Sequence, residues 1–147
     1  MEILIRRGTL DDKPDWLRMR LLLWIYSTAP EFEPELDTIL EDPGQAVFIA
    51  STLEGRRVGF VEASTRTYAE GCETSPVGYV EGWYVDEDLR GLGIGTRLVE
   101  TAEEWARSKG YEEMGSDTWL DNEASIYAHL KMGYEEVERL VHFVKRL

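Results

Sequence analysis

The fold is decided by residues 77–99, which read VGYVEGWYVDEDLRGLGIGTRLV. Residues 77–85 are mostly apolar on both faces, as in a central strand of a sheet that is covered on both sides. A turn with Gly91, Gly93 and Gly95 follows, and it leads into an amphipathic helix. Glycines in such a turn let backbone N–H groups approach a phosphate, and the helix N-terminus adds partial positive charge. The stretch therefore predicts a strand, an anion-binding turn and a helix.

The flanking residues predict further strands and helices in a regular order. Strands are expected at 2–7, 46–53, 57–68 and 111–119, helices from 11 and at 33–40 and 122–132, and an extended segment at 134–144. In the first helix the spacing predicts an apolar face of Leu17, Leu21, Trp24 and Ile25. This order predicts an α/β chain with a mixed sheet. Because the chain has no linker and no repeat, a single domain over residues 1–147 is expected.

The chain is acidic: 16 Lys and Arg residues stand against 29 Asp and Glu residues, which gives a net charge of −13. Nucleic-acid binding needs a basic surface, so this charge argues against it but leaves room for a cationic partner. Six of the acidic residues lie between Glu31 and Asp42. They form either a solvated helix face or part of a site for a cation.

Several other classes are excluded by composition. No apolar run reaches the roughly 18 residues of a membrane helix, and the N-terminus lacks the order of a signal peptide. Cys72 is the only cysteine, which excludes an internal disulfide and a cysteine-based zinc site. We expect a cytoplasmic protein with no membrane association and no bound metal. Cys72 is interpreted as incidental, because no histidine adjoins it to activate the thiol.

The glycine-rich turn fits neither of two common nucleotide motifs. A P-loop would continue with Gly-Lys-Ser/Thr, and a dinucleotide fingerprint would have a third glycine where Thr96 stands. The turn instead resembles the Arg/Gln-x-x-Gly-x-Gly/Ala pyrophosphate loop of the GCN5-related N-acetyltransferase (GNAT) superfamily. Arg90, Gly93 and Gly95 stand at the matching positions.

Membership in this superfamily would imply the GNAT fold, a mixed and mostly antiparallel sheet flanked by helices, and acetyl-CoA as cosubstrate. The resemblance assigns the pyrophosphate to Arg90, Gly91, Gly93, Gly95 and Thr96. It assigns the thioester oxygen to the backbone N–H groups of Trp83 and Val85. Asn122, which matches a later superfamily position, would contact the pantetheine arm, cap its own helix or do both.

Other segments more narrowly resemble the bacterial aminoglycoside 6'-N-acetyltransferases. They are Glu73–Gly78, Glu81-Gly82, Ser116-Asp117, Leu120–Asn122 and Glu138-Arg139, together with Trp24 and Tyr68. This resemblance implies acetylation of the 6'-amine of cationic aminoglycosides, hence antibiotic resistance, and a homodimer with the last strand as an interface element. Two alternatives stay open: an acetyltransferase for another polyamine or a peptide amine, and a non-catalytic acyl-CoA-binding regulator.

Glu81 is the predicted general base. A carboxylate inside an apolar strand needs a partner or a purpose, because burying an unpaired charge is costly. Strict alternation along the strand places it on one face with Tyr79, Trp83 and Val85. The alternative is a structural ion pair with Arg66 or Arg20.

Two further carboxylates are expected to bind substrate amines: Asp117, at the end of a predicted strand, and Glu138, in the last segment. The alternatives are a helix cap for Asp117 and an exposed strand charge for Glu138. Trp24 and Tyr68 are expected to form apolar walls against a sugar ring, and Trp24 also fits a core position.

The general acid is less clearly marked. Many superfamily members carry a tyrosine seven residues after the asparagine, and here that position is His129. Seven residues are two helical turns, so His129 and Asn122 share a face, whereas Tyr127 points roughly 200° away from His129. Either His129 protonates the leaving thiolate, or the thiolate leaves unprotonated, or a register shift lets Tyr127 serve. His142 is expected to be structural.

Overall fold

Five strands form one sheet in the computed structural model, which describes residues 1–147. The strands are β1 (Ile3–Arg7), β2 (Gln45–Thr52), β3 (Arg57–Arg66), β4 (Val77–Val85) and β5 (Met114–Ser116), and they lie side by side in that order. The α-helices are α1 (Lys13–Leu23), α2 (Ala29–Glu41), α3 (Ile94–Ser108) and α4 (Glu123–Lys131). Neighbouring strands are antiparallel except β4 and β5, which are parallel. The predicted α/β class with a mixed, mostly antiparallel sheet is confirmed.

Helices cover both faces of the sheet. Helix α3 packs on one face, with a core of Leu98, Val99 and Ala102 against Val61 and Val80. Helices α1 and α2 pack on the other face, with a core of Trp16, Met19 and Leu36 against Phe60 and Tyr84. No helix combines the length and the apolar character needed to cross a membrane.

Both helices on the second face differ from the sequence predictions. Helix α2 begins at Ala29, earlier than predicted, because Thr28 serves as an extended N-cap and Pro30 fits the first helical turn. The predicted apolar face of α1 is wrong in part, since Ile25 is 69% exposed. The buried positions of α1 are Trp16, Met19 and Arg20. A buried arginine needs a counter-charge, which the sheet supplies.

Arg20 is buried because Glu62 of β3 neutralises it. Arg20 Nε and Nη2 each donate to a different oxygen of Glu62 at 2.6 Å, and Trp16 Nε1 donates to the same carboxylate at 2.8 Å. Arg20 Nη1 donates to Glu35 of α2 at 2.5 Å, and the guanidinium carbon lies 4.7 Å from the centre of the Phe32 ring. The side chains of Arg20 and Glu62 are only 5% and 4% exposed. This buried ion pair ties α1 and α2 to the sheet.

A β-bulge interrupts the pairing of β3 with β4. Glu62 faces Gly82, but the next residue of β3, Ala63, faces Val80. Glu81 is therefore an extra residue on β4 with no partner of its own. Such a bulge changes the direction of the side chains around it.

The pairing of β4 with β5 ends early. The last paired residues are Val80 and Ser116, although β4 continues to Val85. The strand predicted at 111–119 is therefore much shorter than expected. From Glu81 onward, the edge of β4 has no strand beside it, and we call this opening the β4–β5 gap.

The strand predicted at 134–144 is wrong for the isolated chain. Residues 134–147, which we call the C-terminal segment, form no helix or strand, and His142 lies exposed in it. Its apolar side chains face water: Val137, Leu140, Val141, Phe143 and Val144 are 59–92% exposed. The segment contains a strand-like sequence, but no strand of this chain pairs with it.

Replacing one partner of the buried ion pair is expected to destabilise the fold. Glu62→Gln leaves Arg20 buried without its full counter-charge, so the free energy of unfolding should fall by about 3 kcal/mol. Urea denaturation measures the loss. The matched control is Arg107→Met, which removes an exposed pair with Glu104 and should not move the midpoint. Equal midpoints for Glu62→Gln and the control would contradict a structural role for the pair.

Candidate active site

The β4–β5 gap leaves backbone groups of β4 unpaired. Asp86 N–H donates to the Val58 carbonyl of β3 at 2.7 Å. Because N–H groups alternate in direction along a strand, those of Trp83 and Val85 point the other way, into the gap. Arg90 Nε reaches the Val85 carbonyl on the same side at 2.8 Å. This edge can donate backbone hydrogen bonds to a molecule that lies along it.

The glycine-rich turn follows β4 and leads into α3. Gly91 and Gly93 have φ angles of +80° and +84°, a left-handed conformation that suits glycine. Gly93 directly precedes α3, whose first turn has no side-chain cap and no acidic residue. Thr96 is exposed in that turn. The first N–H groups of α3 are thus free to bind an anion, and open space surrounds the two glycines.

Two contacts hold this turn against β4. The Arg90 guanidinium carbon lies 5.3 Å from the centre of the Tyr84 ring while Nε bonds to Val85. Gly95 packs on the indole of Trp83, where a Cβ would lie 3.3 Å from Nε1. Arg90 thus anchors the turn to β4, and the glycines leave the backbone of the turn accessible to a ligand.

The bulge changes the face to which Glu81 belongs. Glu81 and Tyr79 lie on the α1–α2 side, whereas Trp83 and Val85 pack toward α3. The prediction that these residues share one face is wrong, because one extra residue reverses the alternation.

Glu81 is neither buried nor unpaired. Its side chain is 31% exposed. Arg66 Nε and Nη2 donate to its two oxygens at 3.1 and 2.8 Å, and the Ser64 hydroxyl donates to Oε2. Of the two ion pairs considered from the sequence, the one with Arg66 forms, while Arg20 pairs with Glu62.

Tyr79 links Asp117 to the same group of side chains. The Tyr79 hydroxyl donates to Asp117 Oδ2 at 2.7 Å, and the Arg66 guanidinium carbon lies 3.5 Å from the centre of the Tyr79 ring. Burial raises the pKa of Tyr79, and the hydrogen bond to Asp117 raises it further, so the phenol stays protonated. Asp117 caps no helix, because Asn122 is the N-cap of α4 and accepts from Ser125 N–H at 3.1 Å.

A cavity opens on this side, between α1, α2 and the sheet. Its wall contains three carboxylates, Glu35, Glu62 and Glu81, and the rings of Trp24 and Phe32. Gly82 lets Trp24 lie directly over β4, since a Cβ there would come within 2.5 Å of the indole. Trp24 also contacts Phe60 edge-on at 6.4 Å, so it belongs to both the core and the cavity. Of the acidic residues between 31 and 42, Glu35 alone lines the wall.

Three predicted site residues do not line this cavity. Asp117 lies outside the wall and is joined to the Glu81 group only through the Tyr79 hydroxyl. Tyr68 is 69% exposed and its ring stacks on no other. Glu138 is exposed in the C-terminal segment and forms no hydrogen bond or ion pair. Their roles stay predictions.

His129 lies where β4 and β5 separate. Its Nδ1 donates to the Ser125 carbonyl at 2.7 Å, since a carbonyl only accepts, and its Nε2 is 2.7 Å from the Ser116 hydroxyl. The imidazole meets the Trp83 ring edge-on at 4.8 Å. Tyr127 is 63% exposed on another face of α4, so no register shift brings it to the gap.

Cys72 is not prepared for nucleophilic chemistry. Burial raises the pKa of its thiol, and the nearby charges of Glu113 and Glu70 raise it further. The thiol therefore stays protonated at neutral pH.

Sequence reasoning missed Ser64 and Ser116 and did not foresee that Tyr79 joins Asp117. A signal existed for β3, where Glu62, Ser64 and Arg66 alternate along one face of a largely apolar strand. Ser116 has no such signal, because its partner His129 belongs to a separate helix.

Comparison with known proteins gives the family. Residues 15–134 match the acetyltransferase (GNAT) family. The chain is 42% identical to aminoglycoside N(6')-acetyltransferase type 1 of Klebsiella aerogenes, over 98% of this chain and 97% of that protein. It is 39% identical to the protein of the same name from Stenotrophomonas maltophilia, over 95% of this chain and 90% of that protein.

Solved structures agree. The complex of AAC(6')-Iy with the bisubstrate analogue CoA-S-monomethyl-acetylneamine has a TM-score of 0.93 and 32% identity over 100% of both chains. AAC(6')-Ih from Acinetobacter baumannii has a TM-score of 0.90 and 33% identity over 99% of both chains. With sequence and fold alike over nearly the whole length, the chain belongs to the GNAT acetyltransferase family and, within it, to the aminoglycoside N(6')-acetyltransferases.

Proposed function

We propose that this protein transfers the acetyl group of acetyl-CoA to the 6'-amino group of aminoglycosides and so gives antibiotic resistance. The observation that carries the proposal is that two separate sites, the β4–β5 gap and the cavity, lie along the same strand, β4. The β4–β5 gap offers backbone donors next to an anion-binding turn, and the cavity on the α1–α2 side offers carboxylates and an indole. Acetylation removes a positive charge that the drug needs to bind ribosomal RNA.

The gap is the side for acetyl-CoA. Its pyrophosphate is held by Gly91, Gly93, Gly95 and Thr96 through the start of α3, with Arg90 anchoring the turn. Acetyl-CoA supplies an acetyl group on a good leaving group. The N–H groups of Trp83 and Val85 donate to no neighbouring strand and are suited to stabilise negative charge on the thioester oxygen. Asn122 fixes the start of α4 near the same gap.

The cavity is the side for the aminoglycoside. Glu81 attracts the ammonium group and then accepts its proton, directly or through a water, so that the neutral amine attacks. Asp117 orients a second amine, and Trp24 gives an apolar wall for a sugar ring. Tyr68 and Glu138 complete the proposed substrate set, and the side chains of both are exposed.

His129 is the proposed general acid for the leaving thiolate. The hydrogen bond from Nδ1 to the Ser125 carbonyl fixes the ring. Nε2, which lies 2.7 Å from the Ser116 hydroxyl, is then the atom from which the imidazolium form gives its proton to the thiolate. No metal takes part in this scheme. Residues 1–147 act as one domain, and the reaction takes place in the cytoplasm, where acetyl-CoA is made.

We further propose that the protein is a homodimer through the C-terminal segment. Its exposed apolar residues, among them Leu140, Val141 and Phe143, form a patch of the kind that marks an interface. Short β5, at the edge of the sheet, has unpaired backbone groups that a strand from a second copy can join.

The reaction and its position on the drug are tested with two drugs that differ at the 6' carbon. Neomycin carries an amine there and paromomycin a hydroxyl. We expect thiol release from acetyl-CoA with neomycin and none with paromomycin, because only the amine attacks. Equal rates with both would move the acetyl group to another amine. Silence with both would favour another amine substrate or a non-catalytic acyl-CoA-binding protein.

The role of Glu81 is tested with Glu81→Gln. Removing a general base should reduce turnover of neomycin by roughly 10²–10⁴-fold, while acetyl-CoA binding measured by calorimetry stays unchanged because the proposed acetyl-CoA contacts are backbone groups of β4 and of the glycine-rich turn. The matched control is Glu104→Gln, an exposed carboxylate of α3, which should leave turnover unchanged. Wild-type turnover in Glu81→Gln would remove the base assignment.

The homodimer is tested by light scattering. The wild type should have twice the mass of the chain, and the double substitution Val141→Asp with Phe143→Asp should shift it to one chain, because charge on the interface prevents its burial. Leu10→Asp, at a residue outside the C-terminal segment that is 70% exposed, is the control and should leave the mass unchanged. A monomeric wild type at micromolar concentration contradicts the proposal.

A further inference from the structure

Two arginine–glutamate pairs lie on the same face of the sheet and differ in their exposure to water. The side chains of Arg20 and Glu62 are 5% and 4% exposed, with helices packed over them. Those of Arg66 and Glu81 are 39% and 31% exposed. A partly exposed pair breaks at a lower cost than a buried one, because water and other ions compete for both partners. The second pair is therefore exchangeable, whereas the first is structural.

The contacts of Arg66 are ones that a bound cation would also make. Its guanidinium donates twice to Glu81 and lies 3.5 Å from the centre of the Tyr79 ring. Arg66 Nη1 has no hydrogen-bond partner, and no backbone carbonyl holds the group. A carboxylate beside an aromatic face is the arrangement that binds ammonium groups. We call the group of Glu81, Tyr79 and Asp117 the cation cage, and Arg66 fills it.

The electrostatics of the cation cage favour a positive charge. Burial alone would lower the pKa of Arg66, but the hydrogen bonds and charge of Glu81 outweigh it and raise that pKa, and the charge of Asp117 acts in the same direction. Asp117 is joined to the cage through the Tyr79 hydroxyl at 2.7 Å. Two carboxylates thus face a single resident cation, and the surplus negative charge attracts a second one.

We propose that Arg66 is a displaceable stand-in for the substrate ammonium: it occupies Glu81 in the free protein and yields that carboxylate when an aminoglycoside amine enters. This rests on the proposed function and adds a specificity-determining residue to it. A ligand must carry enough positive charge to take Glu81 from Arg66. A neutral sugar of the same shape leaves the ion pair closed, so the cavity selects polycations before any chemistry begins.

The displacement is observed directly by NMR. In the free protein the Arg66 Nε–H is hydrogen-bonded to Glu81, and its signal is assigned by its absence from Arg66→Lys. Saturating neomycin should shift this signal to the position of a solvent-exposed guanidinium, and CoA should not. An unchanged Arg66 signal with neomycin bound would overturn the proposal.

Binding affinity gives an independent test with an informative sign. If neomycin must displace Arg66, then Arg66→Met removes a competitor, and the Kd and KM for neomycin should both fall by about threefold to tenfold. If Arg66 merely orients Glu81, the same substitution raises them. Arg107→Met, which removes an equal charge far from the cavity, should change neither. An unchanged or raised Kd in Arg66→Met would overturn the proposal.

A second variant and a second ligand cover the cases in which Arg66→Met does not fold or neomycin does not bind. If thermal unfolding shows that Arg66→Met is not folded, Arg66→Gln is used in its place, because it removes the charge but keeps hydrogen-bond donors. The same fall in the Kd for neomycin is expected. A wild-type protein that binds no neomycin would refute the proposed function instead. Spermine, a polycation without a sugar, would then serve as the probe, and the shift of the Arg66 signal and the sign of the Kd change would decide the role of Arg66.

Discussion

The bulge at Glu81 is the constraint on which the site depends. A regular β4 would place Glu81 on the face of Trp83 and Val85, under α3 and away from the cavity. The extra residue instead turns the carboxylate to the α1–α2 side. On the other edge of the same strand, the early end of β5 leaves the N–H groups of Trp83 and Val85 unpaired. One strand thus presents a carboxylate on a face and hydrogen-bond donors along an edge, which is the arrangement that the proposed attack of an amine on a thioester requires.

The buried ion pair of Arg20 and Glu62 holds α1 and the cavity wall in position against the sheet. The Arg20 guanidinium carbon lies 4.9 Å from the centre of the Trp24 ring, so the group that holds α1 on the sheet also orients the cavity wall. Its net contribution to stability is small compared with a well-packed apolar core, since desolvating two charges offsets most of their attraction. What the pair gives is specificity of position. Removing one partner is costly because the other stays buried without its counter-charge. The same two residues therefore stabilise the fold and hold the cavity wall in place.

The sequence predicts this fold well where local pattern decides and poorly where distant residues meet. The strand 77–85, the turn at Gly91 to Gly95 and α3 are marked by apolar runs and glycines, and the structure contains them with almost the predicted bounds. The buried face of α1 was mispredicted because Arg20 is buried only through Glu62, a residue on another element. The face of Glu81 was mispredicted because alternation assumes regular pairing, and a bulge is a property of two strands together. The C-terminal segment has a strand-like pattern, but a strand forms only when another strand pairs with it. The pattern of one sequence does not predict which strand, if any, is that partner.

In the proposed mechanism, displacement of Arg66 also accounts for how the product leaves. The incoming ammonium competes for Glu81 because it is charged, but acetylation converts it to a neutral amide that can no longer hold a carboxylate in this way. Glu81, once it has passed its proton to water, is again an unpaired charge beside the Tyr79 ring, and the nearest cation is Arg66. The ion pair therefore re-forms in place of the product. The Arg66–Glu81 ion pair, which the substrate must break, thus re-forms once the amine has become an amide. A weak internal pair therefore permits binding of the amine and favours release of the amide.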